Sequence, residues 1–263
     1  MTLNDDELDR YARHLVLREV GGAGQAKLRD SAVLIVGIGG LGAPALQYLA
    51  AAGVGKITII DDDIVSASNL QRQTIYRTDQ IGQPKVEAAR NFVSMLNPHV
   101  AVTALKGRID AQNVDSLTKN HELILDCCDN FATRYLLAAA SFRAKVPLVS
   151  AAIRGFDGQL SVWHPDGHSA DRPCYHCFNP VRDPETLGDD DCAATGILGP
   201  VAGVLGTLQA LEAMRTLISF GPDGALIGRM LLMDMLSGRQ RLVKVSRDPH
   251  CTLCGDGGTA ADA

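Results

Sequence analysis

The feature that most constrains the fold is a glycine-rich turn between an apolar run and a helix-like segment. Residues 33–37 are apolar and short enough for one buried strand, and residues 37–42 read Gly-Ile-Gly-Gly-Leu-Gly. In a strand-turn-helix unit, such glycines let backbone amides approach a phosphate at the helix N-terminus. A second apolar run, residues 57–60, ends at Asp61. The pattern predicts a nucleotide-binding, Rossmann-like α/β fold. In the alternative interpretation the glycines serve only close strand-helix packing.

The order of the other segments predicts a mostly parallel sheet with an antiparallel C-terminal extension. We expect an N-terminal helical arm over residues 5–30. Strands are predicted at residues 33–37, 57–61, 101–105 and 123–126, and helices at residues 42–53 and 85–96. Residues 159–163 alternate between polar and apolar, as a half-buried antiparallel strand does. The carboxyl ends of the parallel strands should therefore share one crevice.

Composition excludes several classes of function. The 263 residues are 46% hydrophobic and 21% charged, which is typical of a soluble globular protein. A net charge of -5 without a basic run argues against nucleic acid or an anionic membrane as partner. The acidic N-terminus is unlike a signal peptide, so we expect a cytoplasmic protein. Residues 196–220 approach the length of a membrane span, but they carry Gln209, Glu212 and Arg215, which predicts a buried or subunit-facing helix instead.

Four cysteines form two Cys-x-x-Cys pairs, Cys174 with Cys177 and Cys251 with Cys254. Two such pairs supply the four thiolates of a tetrahedral structural Zn²⁺ site, with no position left open for water. Redox pairs and disulfides are the alternatives. A cytoplasmic location disfavours permanent disulfides, and neither pair opens a helix after a strand, as a thioredoxin-type redox motif would. His176, inside the first pair, is interpreted as a bystander.

The other cysteines differ in their surroundings. Cys127 and Cys128 follow a buried strand and are interpreted as packing residues. Cys192 lies in the polar, acidic segment 180–194, which we interpret as a mobile crossover loop, so its thiol should be exposed. Neighbouring carboxylates would raise the pKa of that thiol. The sequence leaves open whether Cys192 acts chemically or is merely exposed.

Charged residues follow the predicted strands where a nucleotide would lie. The chain has no G-x-x-x-x-G-K-[ST] phosphate loop, so other cations must hold the phosphates of ATP. Arg72 and Lys85 are the candidates, and Asp129 is placed to hold Mg²⁺ on phosphate oxygens. Each residue alone would pass for a surface charge or a helix cap, but together they favour an ATP site.

These motifs, in this order, resemble one family over nearly the whole chain. They are residues 10–14 (RYARH), 37–42 (GIGGLG), 68–73 (SNLQRQ), 82–85 (GQPK), 126–130 (DCCDN) and both cysteine pairs. The chain is similar to the ThiF/MoeB group of ubiquitin-activating-like (E1-like) adenylyltransferases. The resemblance implies a single adenylation domain over residues 1–254. This domain would consist of a helical arm (1–30), a nucleotide-binding half (31–150) and a second half (151–254), which would bind the carrier and contain the crossover loop and the zinc site. Residues 255–263 are predicted to be a disordered tail.

The resemblance also assigns the site residues. The implied nucleotide-binding set is Gly37, Gly39, Gly40, Gly42, Asp61, Ser68, Asn69, Leu70, Gln71, Arg72, Lys85, Asp129 and Asn130. Asp61 would take the ribose hydroxyls. Arg13 matches an arginine that the family inserts into the neighbouring subunit's site, so a homodimer is implied. Cys192 matches the family's sulfur-transfer or thioester cysteine. The implied catalytic set is Arg13, Arg72, Lys85, Asp129 and Cys192.

The activity implied is ATP-dependent adenylation of the C-terminal glycine of a ubiquitin-like sulfur carrier, with release of pyrophosphate. The cofactors are ATP, Mg²⁺ and a structural Zn²⁺, and a sulfurtransferase or cysteine desulfurase is an expected further partner. The carrier would belong to thiamine or molybdenum-cofactor biosynthesis, with residues 155–160 and 206–213 favouring the thiamine branch. An NAD-dependent oxidoreductase leaves Arg72, Lys85 and the cysteines unexplained. A non-catalytic E1-like binding module would be expected to have lost some phosphate residues.

Overall fold

The computed structural model describes residues 3–164, 172–180, 196–221 and 224–256. Its strands are β1 (Ala32–Val36), β2 (Lys56–Asp61), β3 (Ala101–Lys106), β4 (Leu123–Asp126), β5 (Leu148–Arg154), β6 (Asp157–Trp163), β7 (Arg229–Asp234) and β8 (Arg239–Lys244). They form one eight-stranded sheet in the order β3-β2-β1-β4-β5-β6-β7-β8.

Helices cover both faces of this sheet. They are α1 (Asp5–Arg10), α2 (Ala12–Leu15), α3 (Gly21–Asp30), α4 (Gly42–Ala51), α5 (Lys85–Leu96), α6 (Val114–Lys119), α7 (Phe131–Ala144), α8 (Tyr175–Phe178) and α9 (Gly199–Ile218). The predicted continuous helix over residues 5–30 is wrong in detail, because the chain turns at Tyr11 and again before Gly21. Tyr11 anchors this arm: its ring fills the space that a Cβ at Gly53 would need, and its hydroxyl accepts from Asn97 Nδ2 at 2.9 Å.

Strands β3, β2, β1, β4 and β5 are parallel to one another. From β5 onward the pairing with β6, β7 and β8 is antiparallel, with hairpins joining β5 to β6 and β7 to β8. β1 and β4 are almost wholly buried because helices lie on both of their faces, which explains their continuous apolar sequence. The strand order reverses between β1 and β4, and such a switch point opens a crevice at the carboxyl ends of the strands. The predicted fold class is therefore confirmed.

Helix α9 packs lengthwise on the sheet. Among the described residues it is the one helix long and apolar enough to cross a membrane, and half of it is buried inside the protein. The amide of Gln209, fully buried, donates to the carbonyls of Asp126 (2.8 Å) and Val149 (3.0 Å). Glu212 accepts from Arg215 at 2.6 Å and from the amide of Leu226 at 2.8 Å. The polar residues of this helix thus serve internal contacts.

Candidate active site

A cavity of about 500 Å³ lies where β1, β2, β3 and β4 end. It brings together nine residues of the predicted nucleotide-binding set, namely Gly37, Gly39, Gly40, Asp61, Asn69, Arg72, Lys85, Asp129 and Asn130. We call it the nucleotide cavity. Four members of that set, Gly42, Ser68, Leu70 and Gln71, do not line it.

The glycine turn allows close packing of strand and helix, and it also lines the nucleotide cavity. Gly37 has φ +87°, which favours glycine, and a Cβ there would lie 2.9 Å from the carbonyl oxygen of Cys127. A Cβ at Gly42 would collide with the carbonyl oxygen of Gly37, so Gly42 allows the close strand-helix turn. Gly39 and Gly40 face the cavity, with the Arg72 Cδ atom 3.5 Å from where a Cβ of Gly40 would be.

Asp61 is fixed by two backbone amides. The N–H of Ile38 donates to one carboxylate oxygen at 2.7 Å, and the N–H of Asp63 donates to the other at 2.8 Å. Burial raises the pKa of Asp61, and the hydrogen bond from Ile38 partly offsets this. A carboxylate held by the glycine turn in this way can accept hydrogen bonds from ribose hydroxyls in a fixed place.

Lys85 is buried at 4% exposure, yet its ammonium group reaches the cavity. Its Nζ donates to Asp63 Oδ2 at 2.7 Å, and its backbone N–H donates to the Asp63 carbonyl at 3.0 Å. Asp63 therefore orients both Asp61 and Lys85. Asp63 is not among the residues predicted from the sequence, although it is a second acid two residues after Asp61, the predicted ribose ligand.

Arg72 is carried by a turn that its neighbours shape. Its Nη1 donates to the carbonyl of Ser68 at 3.0 Å, which holds the guanidinium beside the glycine turn. Leu70 packs against the core, and the Gln71 amide points to the carbonyl of Ile197 at 3.4 Å. These neighbours support the cavity from outside it.

Gln73 and Arg108 also line the cavity, and both were missed. Gln73 is 2% exposed, and its Oε1 has no hydrogen-bond partner among the described residues. Arg108 donates to Asp62 at 2.8 Å from the turn after β3. Gln73 ends the SNLQRQ motif, which was the signal for it, whereas no local pattern marks Arg108.

The turn that bears Asp129 rests on a buried ion pair. Asp126, which is fully buried, accepts from Ser150 Oγ at 2.7 Å and from the amide of Cys128 at 3.0 Å. The guanidinium of Arg134 lies 3.6 Å from Asp126 and also donates to the carbonyls of Cys128 (2.5 Å) and Ala151 (3.0 Å). This network fixes the backbone just before Asp129. Arg134 was missed because its role depends on contacts with β5.

Asp129 and Asn130 end this turn at the cavity wall, and both are exposed. Asn130 caps helix α7, since its Oδ1 accepts from the amide of Thr133 at 2.9 Å. The carboxylate of Asp129 lies at the cavity without an ion-pair partner in the described part of the chain, so it can hold a cation.

Cys127 and Cys128 occupy the floor of the same cavity as buried thiols. Burial raises the pKa of each well above the ordinary range, and the charge of Asp126 adds to the effect. Cys127 contacts Gln209 Oε1 at 3.4 Å. Neutral, enclosed thiols of this kind agree with packing residues.

A second cavity of about 600 Å³ lies against the antiparallel strands and helix α7. It shares Asp129, Arg134 and Ile153 with the nucleotide cavity. Its remaining wall comes from β5, β6, β7 and β8. The two cavities therefore adjoin at Asp129.

The four paired cysteines meet in one cluster, although they lie far apart in sequence. The Sγ atoms of Cys174 and Cys177 are 3.9 Å apart, those of Cys174 and Cys251 3.6 Å, and those of Cys177 and Cys254 3.3 Å. A tetrahedral Zn²⁺ with four thiolates requires about 3.8 Å between sulfurs. The donor set thus fits a closed four-sulfur metal site. The His176 ring is outside the cluster and packs edge-on against Tyr135, with 5.2 Å between centroids.

Two predicted catalytic residues, Arg13 and Cys192, are not among the described residues that line the nucleotide cavity. Arg13 is exposed on α2, does not line the nucleotide cavity and makes no hydrogen bond or ion pair within the described ranges. Cys192 lies outside the described residues, as do all but Pro180 of the predicted crossover loop and residues 257–263 of the predicted tail.

Solved structures share the fold. The Escherichia coli protein MccB in a crystal with ATP matches with a TM-score of 0.78 and 20% identity, over 96% of this chain and 74% of that one. A crystal structure of PaaA gives the same TM-score and identity, over 94% and 76%. At this level of identity the likeness concerns the fold alone.

Curated relatives are closer in sequence. The SAMP-activating enzyme E1 of Haloferax volcanii is 45% identical over 98% of this chain and 93% of its own length. The molybdopterin-synthase adenylyltransferase of Escherichia coli is 43% identical over 96% and 98%. The sulfur carrier protein adenylyltransferase of Thermus thermophilus is 41% identical over 97% and 94%. The model of the ThiF family matches residues 11–253, and the chain belongs to the ThiF family.

Proposed function

We propose that this chain uses ATP to adenylate the C-terminal glycine of a ubiquitin-like sulfur-carrier protein. The observation that carries the proposal is the junction at Asp129, where a cavity lined by Asp61 and by the cations Arg72, Lys85 and Arg108 shares part of its wall with a second cavity. One cavity suits ATP and the other suits an extended peptide tail. Relatives named as adenylyltransferases of molybdopterin synthase and of a sulfur carrier protein support the same reaction.

The reaction needs positioning more than proton transfer. The glycine carboxylate attacks the α-phosphorus of ATP, the bond from that phosphorus to the bridging oxygen breaks, and pyrophosphate leaves with its electrons. A carboxylate is already a nucleophile, so no general base is required. Arg72 and Lys85 neutralise charge on the phosphates from fixed positions. Asp129 would hold Mg²⁺, and the ion would supply positive charge that stabilises the phosphates and the leaving pyrophosphate.

A homodimer would complete each site. Arg13 is an exposed, unpaired cation in the described chain and lies away from its own nucleotide cavity, so it is available to a second subunit. Val204 and Leu211, on the outer face of α9, are exposed apolar residues of the kind that subunit interfaces cover. We propose that Arg13 reaches the phosphates bound by the neighbouring chain.

The remaining assignments concern the metal and the later steps. We propose that the four-cysteine cluster holds a structural Zn²⁺ and takes no part in the chemistry, since four sulfurs leave no open position. The acyl-adenylate would then be converted to a thiocarboxylate for thiamine or molybdenum-cofactor biosynthesis in the cytoplasm. A sulfurtransferase or cysteine desulfurase would supply the sulfur, and Cys192 would serve that later step.

The experiment is exchange of radiolabelled pyrophosphate into ATP, run separately with each small host protein that ends in Gly-Gly. We expect exchange with one or a few of them and none without a carrier. The control is the same carrier lacking its final glycine, which should give no exchange. Exchange that proceeds equally without any carrier, or no exchange with any Gly-Gly protein, contradicts the proposal.

A further inference from the structure

The floor of the second cavity consists of two rows of cross-strand neighbours on one sheet face. Residues directly opposite each other in an antiparallel ladder point to the same side. The charged row is Arg154, Asp157, Asp234 and Arg239. The other row is Ala152, Gln159, Leu232 and Arg241; we call it the neutral row because only Arg241, at its outer end, is charged. All eight side chains line the cavity.

The two rows differ in charge balance. In the charged row, Arg154 lies opposite Asp157 and Arg239 lies opposite Asp234, so the two arginines face two acids. In the neutral row, Arg241 lies opposite Leu232 and has no acid across from it. Arg241 is exposed and makes no hydrogen bond or ion pair in the part of the chain that the structure describes. Arg154 and Arg239 also make no ion pair among the described residues, so Arg241 differs from them in having no acid opposite it in the strand register.

The inner ends of both rows, Ala152 and Arg154, flank Ile153 on β5, and the neutral row is the one that starts with a small, uncharged side chain. Its inner end is Ala152 on β5, next to Ile153, which lines both cavities. A small side chain there leaves room for a backbone, while Gln159 offers an amide and Leu232 an apolar surface. Granted the proposed function, the carrier's terminal glycine would lie near Ala152, with its preceding residues along the neutral row.

The spacing of the strands then sets which carrier residue meets Arg241. From β5 to β8 there are three strand spacings, or about 14 Å, and an extended chain covers about 3.3 Å per residue. The carrier residue that faces Arg241 is therefore about four positions before the terminal glycine, which makes it about the fifth residue from the C-terminus.

We propose that Arg241 selects carriers with an acidic residue near the fifth position from their C-terminus. This inference rests on the proposed function, because it takes the second cavity as the binding site of the carrier tail. Because the ion pair would be solvent-exposed, it should change affinity by only a few-fold. Arg241 thus acts on carrier choice and not on the adenylation step.

The test uses three fluorescein-labelled ten-residue peptides that end in Gly-Gly and differ only at the fifth residue from the end, which is Glu, Gln or Lys. Binding is measured by fluorescence anisotropy at low ionic strength with ATP analogue present. Wild-type protein should bind the Glu peptide about threefold more tightly than the Gln peptide and the Lys peptide most weakly. Arg241→Gln should remove this preference, and Arg241→Glu should reverse it.

The matched control is Gln240→Glu, which lowers the net charge by one, as Arg241→Gln does, on the opposite face of the same strand. It should keep the wild-type preference. Equal binding of the three peptides to wild-type protein, no binding of any, or an unchanged preference in Arg241→Gln overturns the inference. Pyrophosphate exchange with an intact carrier would still occur in those cases, so the failure is distinguishable from failure of the proposed function.

Discussion

The two cavities that meet at Asp129 are built on different principles. In the nucleotide cavity, charged groups are held by the backbone of turns after parallel strands: Lys85 is 4% exposed, and Asp61 accepts two backbone amides. In the second cavity, charged groups such as Arg241 stand on open antiparallel strands. Buried, oriented charges can stabilise a transition state without reorganising, whereas exposed charges contribute little energy. The first cavity therefore suits catalysis, and the second suits choice of partner.

The largest expected effect concerns the four-cysteine cluster, for which we propose a structural Zn²⁺. Cys174 precedes α8, Cys251 and Cys254 follow β8, and all three pack with Ala139 of α7. Because structural zinc contributes folding free energy directly, Cys254→Ser or chelation should lower thermal stability by several kcal/mol or abolish the folded state. The measurement is calorimetric unfolding together with zinc content by elemental analysis.

The control for that variant is Cys128→Ala, a buried cysteine outside the cluster, which should cost less than Cys254→Ser and leave the metal content unchanged. Purified, folded protein with far less than one zinc per chain would show that the cluster is not a structural zinc site.

Asp129→Asn tests the charge at the junction of the cavities. The amide keeps the size of the side chain but loses its negative charge, so Mg²⁺ should be held poorly and exchange should fall by about 10²-fold or more. Asp157→Asn, on β6 in the second cavity but outside the nucleotide cavity, removes the same charge and should change exchange only a few-fold. A similar loss in both variants would contradict the division between the cavities.

Mixing Arg13→Ala and Arg72→Ala chains tests whether the first cavity is completed by a second subunit. Each homodimer should be inactive, while a mixed dimer has one site with both arginines. Random assembly should restore about a quarter of wild-type exchange. If mixed dimers, verified by native mass spectrometry, recover nothing, Arg13 does not act across the interface.

The pH dependence of ATP binding tests the buried acid of the first cavity. Burial raises the pKa of Asp61. Its side chain is therefore ionised at pH values above that raised pKa and becomes protonated as the pH falls through it. Protonation removes an acceptor for the ribose, so ATP affinity should begin to fall at a higher pH than an ordinary aspartate would give. Titrations from about pH 7 to about pH 4 measure this, with Asp61→Asn as control. An affinity in wild-type protein that is flat down to the ordinary aspartate range would contradict the assignment.

The same contrast explains what the sequence could predict. Residues of the nucleotide cavity occur in short contiguous motifs, because each turn carries its own ligands, as Asn69 and Arg72 do. Asp63 and Arg134 were missed although they lie near those motifs, since their roles depend on Lys85 in one case and on β5 in the other.

The second cavity could not be predicted at all. Arg241 shares a row with Leu232, Gln159 and Ala152 only through the register of three antiparallel strand pairings, and one residue of slip would turn each side chain to the other face. The cysteine cluster was predictable although its members are far apart in sequence, because two Cys-x-x-Cys pairs are the spacing typical of one shared metal ion.

The smallest expected effect is that of Cys192→Ala on adenylation. The first step requires only alignment of ATP with the carrier carboxylate, so exchange should stay within about a few-fold of wild type. Thiocarboxylate formation should fail in the same variant if the sulfur or acyl group passes through this thiol. Equal loss of both activities would make Cys192 part of the adenylation site, and an unchanged thiocarboxylate yield would make it a bystander.

The central claim is that the two cavities bring ATP and a carrier glycine together at Asp129. It is tested most directly by following the α-phosphate of radiolabelled ATP. With a Gly-Gly carrier that supports exchange, the label should appear on the carrier in amounts that depend on its final glycine, and Asp129→Asn should abolish this transfer. Label that stays with free nucleotide while pyrophosphate is released, or transfer to a carrier without its final glycine, would contradict the account.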